Sequence, residues 1–178
     1  CSSVIRPFAG LPFLAAGFAF AVPPRIPGTL LATPPVIDGA IDEIGEGKEA
    51  ATFGGLVDEQ TAALAPENAT YWLAYDKKFV YFAVRASDGE PNAIRATEYR
   101  TNVGLGADDH VTLVIDPVGA LNDADRNEFQ FNPNGATNVR LAGGRAGKRE
   151  WAGEILAKGR ITRRGYEIEA RIPWSVMA

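Results

Sequence analysis

Few side chains in this sequence have types and spacing that could do chemistry, and the densest group lies in one loop. Asp123 and Asp125 stand between Asn122 and Asn127, and oxygen ligands of this kind suit calcium. The loop lacks EF-hand spacing, so a solvated loop is the favoured interpretation and a calcium site is the alternative. Paired carboxyl groups also hydrolyse glycosides, but they must stand about 5 to 9 Å apart across a cleft. No spacing here establishes such a pair, and we predict no enzymatic activity.

Histidine and cysteine chemistry is limited by composition. The chain has one Cys, one His and one Met. A single Cys excludes an internal disulfide and a cysteine-based zinc site, and a single His leaves little scope for a catalytic triad. His110 lies in a predicted strand beside acidic residues, and a haem would need a second axial ligand, for which Met177 is the obvious candidate. We therefore predict no cofactor, with calcium as the alternative and haem disfavoured.

Charge divides the chain into two parts. Its 178 residues are 46% hydrophobic and 22% charged, which is typical of one globular domain. The net charge of −4 argues against nucleic acid as a partner, because phosphate binding needs a clustered basic surface. No acidic residue precedes Asp38, so the tail carries +2, from Arg6 and Arg25. The remainder, with 16 basic and 22 acidic residues, carries −6. We divide the chain into a tail, residues 1–35, and a globular part, residues 36–178.

The tail contains an apolar run over residues 8–22. As a helix, these 15 residues would extend about 22 Å, short of the roughly 30 Å hydrocarbon core of a bilayer. One interpretation is a signal peptide, with Arg6 before the run and small residues near its end. Another is that Cys1, followed by two serines, begins a mature lipoprotein and carries lipid. A third is that Cys1 has no special role. We favour a retained anchor, with residues 22–35 as a proline-rich linker.

The elements that must position these residues are strands. Residues 69–76 and 79–88 are rich in aromatic and β-branched residues on both faces, and a polar turn at 76–78 separates them. This pattern predicts a hairpin inside a sandwich. Further strands are predicted at 36–39, 109–116, 128–132, 138–142, 153–163 and 166–172, with a brief helix at 42–51. The predicted fold is all-β, an antiparallel, jelly-roll-like β-sandwich with an extended, apolar N-terminal tail.

An ordered set of motifs resembles the family 9 carbohydrate-binding modules. The matching segments are Val36-Ile37-Asp38-Gly39, Asp42-Glu43, Tyr75-Asp76 with Val80-Tyr81-Phe82, Asp109 to Asp116, and Gly165-Tyr166 to Pro173-Trp174. The resemblance implies a non-catalytic, extracytoplasmic β-sandwich in which Trp174 packs under the sheet. Some relatives bind calcium or haem, and related sandwiches stand at the front of outer-membrane proteins.

Departures from the family concern its aromatic side chains. Family members usually carry Trp where this chain has Gly45, so a core anchor is missing. Sugar-binding members clamp the sugar between two rings. The first ring falls nearest Gly106 here, and the second comes from strands that would follow Ala178. Without either ring, the resemblance does not carry sugar binding over to this chain. Trp72 is predicted in the core, and Trp151 after a glycine-rich stretch is a candidate ligand or partner contact.

Our main prediction is a non-catalytic interaction subunit, periplasmic or in the cell envelope, held at the membrane surface through its N-terminus. Its partners would be other protein subunits and the membrane, as in an extrinsic subunit of a photosynthetic reaction-centre assembly. The contacts would come from Trp151 and from the phenylalanines of the tail: Phe8, Phe13, Phe18 and Phe20. The alternative is a carbohydrate-binding module of a cell-envelope protein, with a glycan as the ligand.

Overall fold

The computed structural model describes residues 28–45, 51–53, 67–117, 119, 126–141, 145–146 and 154–177, with only the backbone at 51–53 and 145–146. Ten strands are present in these ranges. They are β1 (Gly28–Leu30), β2 (Ala51–Phe53), β3 (Ala69–Tyr75), β4 (Phe79–Ser87), β5 (Val111–Ile115), β6 (Asn127–Phe131), β7 (Thr137–Leu141), β8 (Arg145–Ala146), β9 (Leu156–Thr162) and β10 (Gly165–Pro173). A four-residue helix, α1 (Asp42–Gly45), and 3₁₀ turns at Pro91–Ala93 and Trp174–Val176 complete the described elements.

Two sheets form a β-sandwich, as the sequence predicted. The first sheet has the order β1-β3-β4-β10-β9, with β2 also paired to β3. The second has the order β5-β6-β7-β8. All pairings are antiparallel except that of β1 with β3. The predicted hairpin is β3 and β4, and β4 is the central strand because it pairs with both β3 and β10.

The main core lies between the sheets. Val80, Phe82 and Val84 of β4 point inward, as alternate residues of one strand must. They pack with alternate residues of β10 against Phe129 and Phe131 of β6. The rings of Phe82 and Phe131 are 6.3 Å apart between centroids. The alternation read from the sequence is present in β4, and the packing shows which of its two apolar faces points inward.

A second, smaller core explains why the central hairpin is apolar on both faces. Trp72 and Tyr81 point to the outer face of the first sheet, where residues 37–45 cover them with Ile37, Ile41 and Ile44. Trp72 is buried, as predicted. A Cβ atom at Gly45 would lie 3.2 Å from the Trp72 ring, so the indole packs directly against this glycine. The missing core anchor at Gly45 stays a prediction.

Three predictions differ from the structure. Residues 36–39 form no strand, and 38–39 are a bend, whereas the predicted linker contributes β1. The described helix ends at Gly45, within the predicted range of 42–51. Trp174 does not pack under the sheet: it is 43% exposed, because Pro173 ends β10 and a 3₁₀ turn carries the ring outward. Its Nε1 donates to the carbonyl oxygen of Asp76 at 2.9 Å. Across the described ranges, no helix has the length and apolar character to span a membrane.

Candidate functional site

Tyr99 is the most exposed large apolar side chain in the described part of the chain, with 74% of its surface in contact with solvent. It stands in the connection between β4 and β5, on a segment that we call the 97–108 loop. The structure gives this segment no regular hydrogen-bonded element apart from a single bridge at Thr101. The position of Tyr99 therefore depends on the side chains that hold the loop.

Asp108 closes the loop. Its carboxylate accepts the backbone N–H groups of Thr97 and Glu98 at 2.9 Å, the Thr97 hydroxyl at 2.7 Å and the Asn132 amide at 2.8 Å. The hydroxyl of Thr97 is the largest cause of a pKa that lies well below the ordinary value for an aspartate. Asp108 is buried and therefore acts as a charged anchor for the two ends of the loop.

The turn between β6 and β7 also holds this loop through hydrogen bonds. Asn132 donates from its amide to the carbonyl oxygen of Glu98 at 2.8 Å, and Asn134 donates to that of Ala96 at 2.8 Å. Farther along, Asn102 has a left-handed backbone, with φ of 60°, and its N–H bonds the carbonyl oxygen of Thr137 at 2.6 Å. Hydrogen bonds from outside the segment therefore hold the loop at its beginning, middle and end.

Charged groups flank the exposed ring. Arg100 donates from Nε and from an Nη atom to the two carboxylate oxygens of Glu98, at 2.9 and 2.6 Å. This fork, together with the backbone N–H groups of Arg100 and Tyr99, lowers the pKa of Glu98 to about 2. The result is an apolar ring in water with hydrogen-bonding groups on both neighbouring residues.

Gly106 and His110 stand near the end of the loop and the start of β5. A Cβ atom at Gly106 would have no neighbour within 4 Å, so the position faces open space. His110 is half-buried, and its Nδ1 lies 2.8 Å from the carbonyl oxygen of Asp108. Because a carbonyl oxygen only accepts, Nδ1 carries the proton in this arrangement.

An apolar cleft of about 750 Å³ lies between the first sheet and β5. Tyr71, Leu73 and Phe82 line one wall, and Leu113 lines the other. Few polar side chains reach this cleft, so it offers little to the hydroxyl groups of a sugar.

The residues predicted as sites lie outside the described residues. They are Cys1, Phe8, Phe13, Phe18, Phe20, Trp151, Asp123 and Asp125, and the lipid, partner-contact and calcium assignments stay predictions. Within the described ranges, no three acidic, His or Cys side chains are grouped closely enough to hold a metal ion. Sequence reasoning missed Tyr99, because the stretch around it was treated as a long connection. An aromatic residue between polar residues in that connection was the available signal.

The two-sheet architecture is that of a β-sandwich, and comparison with known proteins identifies its family. The model of the carbohydrate family 9 binding domain-like family matches residues 37–178. The chain therefore belongs to this family, as the sequence motifs indicated. The family is one of non-catalytic modules, in agreement with the prediction that the domain is not an enzyme.

Solved structures with the same fold include two of a family 9 carbohydrate-binding module from Caldicellulosiruptor kristjanssonii, one with cellotriose and one with glucose. Each is 22% identical with a TM-score of 0.58, covering 85% and 83% of this chain and 68% of the module. A Bacteroides uniformis protein, provisionally described as carbohydrate-binding, is 15% identical with a TM-score of 0.64, covering 85% of this chain and 72% of its own. The TM-scores establish a shared fold, and at these low identities the similarity shows the fold alone. No curated protein matches the sequence.

Proposed function

We propose that this domain is a non-catalytic module that binds carbohydrate through the 97–108 loop, with Tyr99 as the ring on which a sugar stacks. The observation that carries the proposal is the exposure of Tyr99 on a loop that buried Asp108 holds in place. Family membership supports the same function, and it supports our alternative prediction better than the main one. Nothing in the comparisons favours an interaction subunit of a membrane complex.

The chemistry of sugars suits this arrangement. The C–H face of a pyranose ring packs on the negative face of an aromatic ring, while its hydroxyl groups stay available for hydrogen bonds at the edge. Glu98 can accept and Arg100 can donate such bonds. Because the loop is already fixed by hydrogen bonds, binding costs little additional conformational entropy.

Glucose oligosaccharides are the first ligands to test, since the two Caldicellulosiruptor kristjanssonii structures contain cellotriose and glucose. Isothermal titration of the full chain with cellotriose should show saturable binding. Tyr99→Ala should weaken it roughly tenfold, because an aromatic contact contributes about 0.5 to 1.5 kcal/mol beyond its buried area. Tyr99→Phe keeps the ring and should retain most of the affinity.

Tyr75→Ala is the matched control, because Tyr75 is the other exposed tyrosine of the described structure and lies on β3. It should leave the affinity for cellotriose unchanged. Equal affinity of the wild type and Tyr99→Ala, or equal losses in the two alanine variants, would contradict the role of the loop. No saturable binding of cellotriose or any other oligosaccharide tested would contradict the function itself.

Gly106→Trp provides a gain-of-function test. A Cβ atom at this position would meet no neighbour within 4 Å, so an added side chain begins in open space. It would restore a ring at the position where the family's first clamping ring falls. We expect tighter binding of cellotriose in this variant, and no change in affinity would argue that this end of the loop does not contact the ligand.

A further inference from the structure

A groove of about 580 Å³ lies on the first sheet, where β4 ends and the hairpin of β9 and β10 turns. We call it the arginine groove, because Arg85, Arg163 and Arg164 line it with Glu167 as the acidic residue in the lining. These side chains carry a net charge of +2. The whole chain carries −4, so the groove opposes the overall charge of the protein.

Glu167 does not pair with Arg163 or Arg164, because Arg85 and Arg160 already occupy its oxygens. Its Oε1 accepts from Arg85 Nε at 2.7 Å. Its Oε2 accepts from Arg160 Nε at 2.8 Å and from an Nη atom of Arg160 at 2.5 Å. Glu167 is almost fully buried, whereas the two arginine side chains keep more than half of their surface in solvent. One carboxylate is thus shared between two guanidinium groups.

Arg163 and Arg164 have no carboxylate partner within the described residues. Their backbone is nevertheless fixed. Arg164 donates its N–H to the Thr162 hydroxyl at 3.2 Å, and its carbonyl oxygen accepts the Asp88 N–H at 2.9 Å. The following Gly165, with φ of 138°, has a backbone conformation that favours glycine. The turn therefore presents two exposed guanidinium groups at the rim of the groove from a defined backbone position.

Two hydroxyl groups of the groove, those of Ser87 and Thr162, are used within the protein. The Ser87 hydroxyl donates to the carbonyl oxygen of Asn68 at 3.1 Å and accepts the Asn68 N–H at 2.8 Å. The Thr162 hydroxyl donates to the carbonyl oxygen of Gly165 at 3.2 Å. The charged groups of the lining that remain for a ligand are the guanidinium groups of Arg163 and Arg164. Guanidinium groups recognise planar or tetrahedral anions through paired N–H donors.

We propose that the arginine groove binds the anionic groups of an acidic polysaccharide, its carboxylates or its sulfates. This inference rests on the proposed carbohydrate-binding function and adds the class of glycan that the domain takes. A neutral glucan would place no charge against Arg163 and Arg164, whereas an acidic chain pairs each of them with an anion. Binding at this groove is expected to weaken with added salt, because exposed ion pairs are screened.

The test uses the full chain and two defined probes, an oligogalacturonate for carboxylates and a sulfated dextran for sulfates. Titration at low salt should show saturable binding of at least one of them, and the comparison identifies which anion the groove prefers. The double variant Arg163→Gln/Arg164→Gln should lower that affinity at least tenfold. It should leave cellotriose binding unchanged, because neither residue belongs to the 97–108 loop.

The matched control is Lys77→Gln/Lys78→Gln, which removes the same charge at the exposed turn between β3 and β4. Equal losses of affinity for the acidic probe in the two double variants would show a general charge effect and contradict binding at the arginine groove. Absence of binding to both acidic probes would also overturn it, even where Tyr99→Ala abolishes cellotriose binding and the proposed function stands. Conversely, the acidic probe could bind in an arginine-dependent way while cellotriose does not bind at all. That result would reject the role of Tyr99 and support anion binding at the arginine groove.

Discussion

Glu169 of β10 is a fully buried carboxyl group beneath residues 37–45. Its Oε2 accepts the backbone N–H groups of Gly39 at 3.0 Å and Asp38 at 3.3 Å. Its Oε1 has no hydrogen-bond partner in the described structure. Burial raises the pKa of Glu169 to about 7; the two N–H donors oppose the shift, and the negative charges of Asp38 and Asp42 add to it.

Because the pKa of Glu169 is raised in the folded protein, its effect on stability depends on pH. The folded state holds the proton more tightly than the unfolded chain, whose glutamate has an ordinary pKa of 4.5. The contribution of Glu169 to stability is therefore fully present below pH 4.5 and is lost as the pH rises through about 7. A shift of this size corresponds to a loss on the order of 3 kcal/mol. That is a large part of a typical domain stability of about 5 to 15 kcal/mol.

Glu169→Gln removes the titration and keeps the shape of the side chain, including an oxygen that can accept from Gly39. Urea unfolding of the wild type and the variant, measured from pH 4 to pH 9, gives the free energy of unfolding of each. Relative to the wild type, the free energy of unfolding of the variant should increase by an amount on the order of 3 kcal/mol between pH 4.5 and pH 8. Any constant cost of the new amide group cancels in this comparison, since it does not depend on pH.

Other carboxylates also make stability depend on pH, but their contributions cancel when the wild type is compared with Glu169→Gln. Glu98 has a lowered pKa, so its contribution is present above the ordinary value and lost as the pH falls. It is the same in both proteins. Glu90→Gln, at an exposed glutamate in a turn, serves as the control and should follow the wild-type profile. Parallel profiles for the wild type and Glu169→Gln would refute the assignment of a buried, proton-binding carboxyl group.

Three further substitutions test the packing, each by chemical denaturation of the full chain. Phe82→Ala should lower the free energy of unfolding by about 3 to 5 kcal/mol, since Phe82 is buried at the centre of β4; a loss below about 1 kcal/mol would contradict its core position. Gly45→Trp should destabilise by about 1 to 3 kcal/mol, because the added side chain would meet Trp72, whereas a gain in stability would support the missing-anchor hypothesis. Gly165→Ala should also destabilise, because its Cβ would collide with the carbonyl oxygen of Ala86, and an unchanged midpoint would argue against this turn geometry.

The central hairpin could be predicted from the sequence because its signal is local. Alternation with a period of two assigns Tyr81 and Phe82 to opposite faces of one strand, whatever they later contact. The polar turn beginning at Asp76 ends one strand and begins the next. Its carboxylate caps that turn by accepting the N–H groups of Lys78 at 2.6 Å and Phe79 at 2.8 Å. The family motifs are equally local, so the sandwich could be predicted without knowledge of the packing.

The candidate sites depended on contacts that no local pattern contains. Asp108 meets Asn132, 24 residues away, and Glu169 meets Gly39, 130 residues away. The sequence marks Asp108 as one of several aspartates, and only its burial against distant donors distinguishes an anchor from a solvated carboxylate. Likewise, Trp174 and Tyr99 read as ordinary aromatic residues until the chain is folded. The sequence determined the periodicity of the strands, whereas the tertiary structure decided which side chains remain in water, because burial is set by residues far away along the chain.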